Sequence, residues 1–233
     1  QFARPELYEA ADELGMLVWQ DFPLQWGYAR TIRRAAVRQA REAVDLLGHH
    51  PSIAVWCAHN EPVMAHDSRG AALGSSIVRN VLQQQRPTWN RTILDRWVKR
   101  AFETADETRT TIAHSGVAPH LPQLDGTDSH LFFGWYHGEG ADVDGFAASL
   151  PRMVRFVSEF GAQSVPTSAD FMDPQRWPAL DWHHLTEHHG LQIDSFEQHV
   201  PPGSYSTFES WRDATQRYQA ELPRHHLETH RRL

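Results

Sequence analysis

Two glutamates stand where apolar runs end. The first run, Ile53-Ala54-Val55-Trp56-Cys57-Ala58-His59-Asn60-Glu61-Pro62, reads as a strand buried on both faces that closes on Asn-Glu-Pro. Pro62 has no N–H to give a sheet ladder, so the strand should stop there with Glu61 at its C-terminal lip. The second, Val154-Arg155-Phe156-Val157-Ser158-Glu159-Phe160-Gly161, is mostly apolar and closes on Glu159. In a β/α barrel the C-terminal lip of the strands is where catalytic groups work. Two strand-end carboxylates are the parts that glycoside hydrolysis requires.

Each of these residues also has a plainer reading. Glu61 could simply meet solvent, and Glu159 could pair with Arg155. Asn60 could tie down the turn at the strand end, and Asp21 could be a helix cap or turn residue. The single cysteine, Cys57, falls inside the first run, where a packed thiol is expected rather than a nucleophile. The histidines require a metal check. His226-Leu227-Glu228-Thr229-His230 puts two His at i, i+4 on one helix face, a zinc-compatible spacing, and His183, His184, His188 and His189 form a second cluster. No Cys or Asp completes either set, so histidines solvated on helix surfaces are expected and no metal site is assigned. A zinc hydrolase remains a rival that metal analysis would decide.

The elements that must carry the two glutamates can be read from periodicity. Pro5 suits a first helical turn, Leu7, Ala10, Ala11 and Leu14 fall at helical spacing, and Gly15 is placed to end the helix. Met16 to Phe22 reads as a short buried strand that includes Asp21. Thr31 is a candidate cap for a helix with Ile32, Ala36, Ala40, Ala43, Val44 and Leu47 along one stripe, ended by Gly48. Helix, strand, helix, strand is the repeat of a parallel α/β sheet. Met64 to Pro87 reads as an irregular insertion, Ile93 to Thr108 as a helix, and residues 162–203 as a long loop with short helical pieces. Phe208 to Arg232 reads as a helix broken or kinked at Pro223. Five strands are predicted, at 16–22, 53–61, 111–115, 128–135 and 155–161. Five cannot close an eight-stranded barrel, so the sheet is either open or part of a larger whole.

With 233 residues, 40% hydrophobic and 22% charged, the composition is that of an ordinary globular domain. A net charge of −7 gives no reason to expect nucleic acid or an anionic membrane as partner. No stretch has the pattern of a signal peptide or a membrane span. One cysteine leans towards a reducing, cytoplasmic setting, although the first residues, Gln-Phe-Ala-Arg-Pro, lack an initiator Met.

The blocks Tyr8-Glu9-Ala10-Ala11-Asp12-Glu13-Leu14-Gly15-Met16-Leu17-Val18-Trp19-Gln20-Asp21-Phe22, His50-Pro51-Ser52-Ile53-Ala54-Val55-Trp56, Asn60-Glu61 and Arg155-Phe156-Val157-Ser158-Glu159-Phe160-Gly161, with Gln163-Ser164, occur in one order over most of positions 1–166. In that order they resemble the catalytic barrel of glycoside hydrolase family 2, nearest its β-mannosidase and exo-β-glucosaminidase branches. The resemblance implies that residues 1–233 are part of a (β/α)8 TIM barrel. The Asp21 strand would be its third, the Glu61 strand its fourth and the Glu159 strand its seventh. Strands one, two and eight, and the β-sandwich domains of family members, would lie outside the chain.

Glu159 is similar to the family's nucleophile and Glu61 to its general acid/base, which implies a retaining exo-β-glycosidase acting on a terminal β-linked sugar. Asn60 would bind the sugar's 2-position and Asp21 its hydroxyls, while His130 and Trp135 are further candidate substrate contacts. Trp19 and Trp56 are expected in the core. No metal or organic cofactor is implied, and the expected partner is a carbohydrate. The alternative is a silent carbohydrate-binding relative that keeps the barrel and loses the geometry. Position 58 is Ala where many relatives have Gly, and the loop after Glu61 diverges from theirs. Produced alone, the chain is expected to be poorly stable and inactive.

Overall fold

The computed structural model describes residues 2–62, 86–117 and 128–232. Helices and short strands alternate, and the chain divides into two compact units, Gln1–Ser129 and His130–Leu233. Most of the insertion expected over Met64–Pro87 lies outside the described residues.

In the first unit, helix α1 (Pro5–Leu14) starts on a proline and ends at Gly15, whose φ of 66° is a left-handed cap that glycine adopts without strain. Strand β1 (Val18–Asp21) comes next, then α2 (Arg33–Leu47) and β2 (Ile53–Cys57), then α3 (Asp95–Ala105) and β3 (Thr110–Ile112). The three strands form one parallel sheet in the order β1-β2-β3. All three strands are shorter than the apolar runs that predicted them. Met16 and Leu17 precede β1 and are exposed, because the ladder begins only at Val18, whose N–H bonds the Ser52 carbonyl. Ala54 and Val55 of β2 are half-buried rather than covered on both faces.

Helix α2 buries Ala36, Ala40, Ala43, Val44 and Leu47, the stripe its spacing predicts. It packs on α3, which buries Val98, Ala101 and Phe102. Phe102 closes the core, edge-on to Phe22 at 5.7 Å and stacked on Trp56 at 5.1 Å. Thr31 does not cap α2. It lies inside a 3-10 turn, Arg30–Ile32, that leads into the helix without a side-chain cap. Ahead of α3, Trp89–Leu94 forms a widened π-type turn that Thr88 caps.

In the second unit the His130 end of β4 (Ser129–His130) pairs with β5 (Val157–Glu159), Leu131 N–H bonding the Glu159 carbonyl. Helices α4 (Asp142–Ser149), α5 (Trp182–His189), α6 (Ile193–His199) and α7 (Phe208–Arg232) surround an aromatic core of Trp135, Phe196, Phe208 and Trp211. Strand β5 is only three residues long because Pro151–Val154 coils into a 3-10 turn before it. Helix α7 continues through Pro223 as one 25-residue element instead of stopping there.

Side chains of α7 also bond outward, Gln216 donating to the Val165 carbonyl at 2.9 Å and Gln219 to that of Ala162 at 2.8 Å. Tyr218 donates to the Gly134 carbonyl, and His226 Nε2 to that of Phe133 at 3.0 Å. His226, expected on a solvated face, is in fact buried and lies flat on Phe160. His183, His184, His188 and His189 lie on α5 with little cover, as their sequence predicts. Among the described residues no helix is long and apolar enough to cross a membrane.

Candidate active site

The Glu61 corner belongs to the first unit. Beyond Cys57 the chain leaves regular strand geometry but not its hydrogen bonds. Ala58 N–H bonds Ile112, Asn60 N–H bonds Leu24, and Glu61 N–H bonds Ser115, at 3.0, 2.8 and 3.1 Å. Asn60 thus bridges to Gln25 on one side and Ser115 on the other, so the pairing expected over 53–61 persists to the glutamate. There the backbone turns, and Glu61 sits at φ 44°, a left-handed conformation uncommon for a side-chain-bearing residue. Its carboxylate Oε2 accepts from the indole N–H of Trp26 at 3.1 Å.

Ser115 Oγ donates to Asn60 Oδ1 at 2.9 Å. That bond fixes the orientation of the amide, whose oxygen is the acceptor and whose nitrogen is the donor. Asp21 closes β1, half-buried, and its Oδ1 accepts from Trp19 Nε1 at 2.9 Å. Asp21 is opposite Cys57 in the ladder, and the Cys57 thiol is pushed far up, first by burial and then by the Asp21 charge. Such a thiol stays protonated and unreactive, as expected for a packed cysteine.

His59 is a residue that pattern reasoning passes over. It is wholly buried, and its Nε2 donates to the Trp26 carbonyl at 3.0 Å. Burial holds its pKa down at about 4, so the ring is neutral at pH 7.

The Glu159 corner belongs to the second unit. Glu159 is the last residue of β5, half-buried, and its Oε2 lies 3.5 Å from Nδ1 of His130 on the neighbouring strand. Two predicted site residues are therefore adjacent here. Gly161 comes two residues later at φ 124°, a conformation open to glycine, and a β-carbon there would lie 3.5 Å from Pro223 of α7.

Trp135, expected to reach substrate, is 2% exposed. It packs edge-on to Phe196 at 5.1 Å and donates its indole N–H to Gln192. Its ring is taken up by the core of the second unit rather than presented to substrate as the sequence suggests. Trp56 is likewise buried, as expected, with its N–H on Asp106 at 2.9 Å.

Chemically, the first corner offers a carboxyl group whose Oε2 accepts from an indole, an amide and a second carboxylate. The second offers a carboxylate beside an imidazole. Neither requires a cofactor to move a proton or to attack carbon.

No family model matches the chain. Beta-mannosidase B of Thermothelomyces thermophilus is 32% identical over 209 residues, covering 80% of this chain and 23% of its own length. The beta-mannosidase of Bos taurus is 26% identical over an alignment of 263 residues that covers 99% of this chain and 28% of its own. Among solved structures, the β-D-mannosidase from Dictyoglomus thermophilum superposes with a TM-score of 0.62 at 19% identity, over 97% of this chain and 27% of that one. At that identity the likeness concerns the fold. The chain spans about a quarter of the length of the curated relatives it matches. Over most of its own length, the chain is a homologue of the β-mannosidases of glycoside hydrolase family 2.

Proposed function

We propose that these residues form part of the catalytic (β/α)8 barrel of a retaining exo-β-glycosidase, contributing its third to seventh strands. In this reading Glu159 attacks the anomeric carbon to give a glycosyl-enzyme, and Glu61 protonates the departing oxygen and then takes a proton from the attacking water. Asn60 donates to the sugar's 2-position, Asp21 holds hydroxyls, and His130 lies where it steadies Glu159. A terminal β-linked mannose is the favoured substrate, since the similar proteins are β-mannosidases. The remaining barrel strands and β-sandwich domains would be supplied by further chain, without which the site walls are incomplete.

The observation that carries this reading is the Asn60–Glu61 corner. Main-chain pairing on both sides holds the strand up to the glutamate, and the left-handed turn then swings the carboxylate out of the ladder. A strand end meant only to meet solvent needs neither device.

The test uses the whole protein. Glu159→Ala should abolish turnover, with a loss of at least ~10⁴-fold, as expected for the nucleophile of a covalent mechanism. Glu61→Ala should cost roughly 10²–10⁴-fold on alkyl or sugar leaving groups and far less on activated aryl glycosides, which need little protonation. NMR of the first-formed product should show retained β-configuration. In a crystal structure the two carboxyls should stand roughly 5–5.5 Å apart. An inverted product, or a separation of roughly 6.5–9.5 Å, would remove the retaining assignment. Full binding of β-glycosides with no turnover by the wild type would favour the silent relative instead.

A further inference from the structure

The corner that carries Glu61 is held by a residue to which neither the Asn-Glu motif nor the strand pattern gives a part. Three consecutive residues bond to Trp26. His59 Nε2 donates to its carbonyl at 3.0 Å, the Asn60 carbonyl accepts its backbone N–H at 3.2 Å, and Glu61 Oε2 accepts its indole N–H at 3.1 Å. A carbonyl can only accept, so the proton of neutral His59 is on Nε2. Trp26 and Glu61 are also two of the three non-glycine residues at positive φ among the described residues, at 62° and 44°. Such conformations persist where their surroundings over-determine them, and here each is part of what holds the other.

We infer that Trp26 is a positioning residue for Glu61, an inference that rests on reading Glu61 as the acid/base. A protonated carboxyl has one O–H to give and acceptor positions to spare. The indole N–H aimed at Oε2 makes that oxygen the acceptor and assigns the proton to Oε1. Oε1 gives this proton to the leaving oxygen as the glycosidic bond breaks, and regains one from water in the second half-reaction. Between the two, Glu61 is ionised, and the same N–H stabilises its charge. The loop through Trp26 thereby fixes both the rotamer of the acid and which of its oxygens works.

The experiment is Trp26→Phe in the whole protein, which keeps an aromatic ring on the same backbone and deletes the N–H. Loss of a donor to the carboxylate favours the protonated form, so the basic limb of kcat/KM should move up by about one pH unit, the size of one hydrogen bond to a charged group. Turnover of alkyl or sugar glycosides should fall roughly tenfold and that of dinitrophenyl glycosides by less than about threefold, because only the former depend on the acid. An unmoved basic limb with equal losses on both substrates overturns the inference, since a merely structural residue would behave that way.

Glu61→Ala, run in parallel, separates the two layers of argument. If it too loses equally on both substrates, the reading of Glu61 has failed. If it discriminates and Trp26→Phe does not, the assignment of Trp26 alone has failed. Should Trp26→Phe not fold, the wild type labelled with 5-fluorotryptophan gives the answer by ¹⁹F NMR. One resonance should titrate with the basic limb and cease to titrate in Glu61→Gln, and the absence of any such resonance overturns the proposal.

Discussion

At the scale of single residues, His59 ties this corner to pH. It is fully buried, its Nδ1 has no hydrogen-bond partner among the described residues, and burial, with a smaller push from His114, outweighs its bond to Trp26 and sets its pKa at about 4. In the unfolded chain the ring titrates near 6.5, so the unfolded state takes up the proton first as pH falls. The stabilisation is complete above roughly pH 6.5 and is lost as pH drops towards 4, a change of about 3 kcal/mol at most. His226 and His230, both lowered chiefly by burial, act in the same direction. Asp12, held at about 2 by hydrogen bonds from Ser52 and His50, acts only below about pH 4, outside this window. Melting temperatures between pH 7 and 4.5 should therefore fall more steeply for the wild type than for His59→Asn, and equal slopes would count against the argument. Glu61 and Glu159 are legible in the sequence because a strand end announces them. His59 and Trp26 are not, because their roles depend on a left-handed turn that no residue type in Gln25-Trp26-Gly27 or Asn60-Glu61-Pro62 specifies. Trp135 misleads for a related reason, since an aromatic at the end of an expected strand has the same pattern whether it faces the core or the mouth.

At the scale of elements, one carboxylate joins β2 to the turn that leads into β3. Asp106 accepts from the Trp56 indole at 2.9 Å, from Arg109 at 2.7 Å and from both N–H and hydroxyl of Thr108 at 3.0 and 2.6 Å. Arg109 in turn donates to the carbonyls of Ile53 and His50. These bonds hold the Asp106 carboxyl far below the usual range against the opposing effect of its burial. Asp106→Ala leaves a buried indole N–H without an acceptor and a guanidinium without its partner, and should cost about 3–5 kcal/mol in urea denaturation. A loss below about 1 kcal/mol would mean that water or a neighbour takes over the role. Helices α1 and α2 are readable to within a residue or two, because a 3.6-residue stripe and a terminal glycine are local signals. Strand lengths are overestimated throughout. An apolar run says where a strand is possible, and the ladder partner decides where it starts, as at Val18 and Ser52.

At the scale of the whole molecule, the order β1-β2-β3 leaves β1 and β3 at the edges of a small parallel sheet among the described residues, and Leu14, Met16, Leu17 and Phe156 are exposed. Parallel sheets are normally covered on both faces, and bare edges recruit other chains. Residues 1–233 expressed alone are expected to melt broadly, to self-associate and to lack turnover of β-mannosides. A sharp two-state melt together with activity near that of a full-length enzyme would refute this. Alternating helices and strands, and the family likeness, are legible from the blocks around Asp21, Glu61 and Glu159. The organisation of residues 162–203 is not, because a cluster such as Trp177, Trp182 and Trp211 forms through contacts far apart in sequence. Contacts of that kind also change what the surface of helix α7 is for. Gln216, Tyr218, Gln219 and His226 are polar, yet each satisfies a loop carbonyl, whereas Leu227 is half exposed. Over evolutionary drift these polar positions of α7 should thus be held as tightly as its buried Phe208 and Trp211, while apolar Leu227 is free to vary.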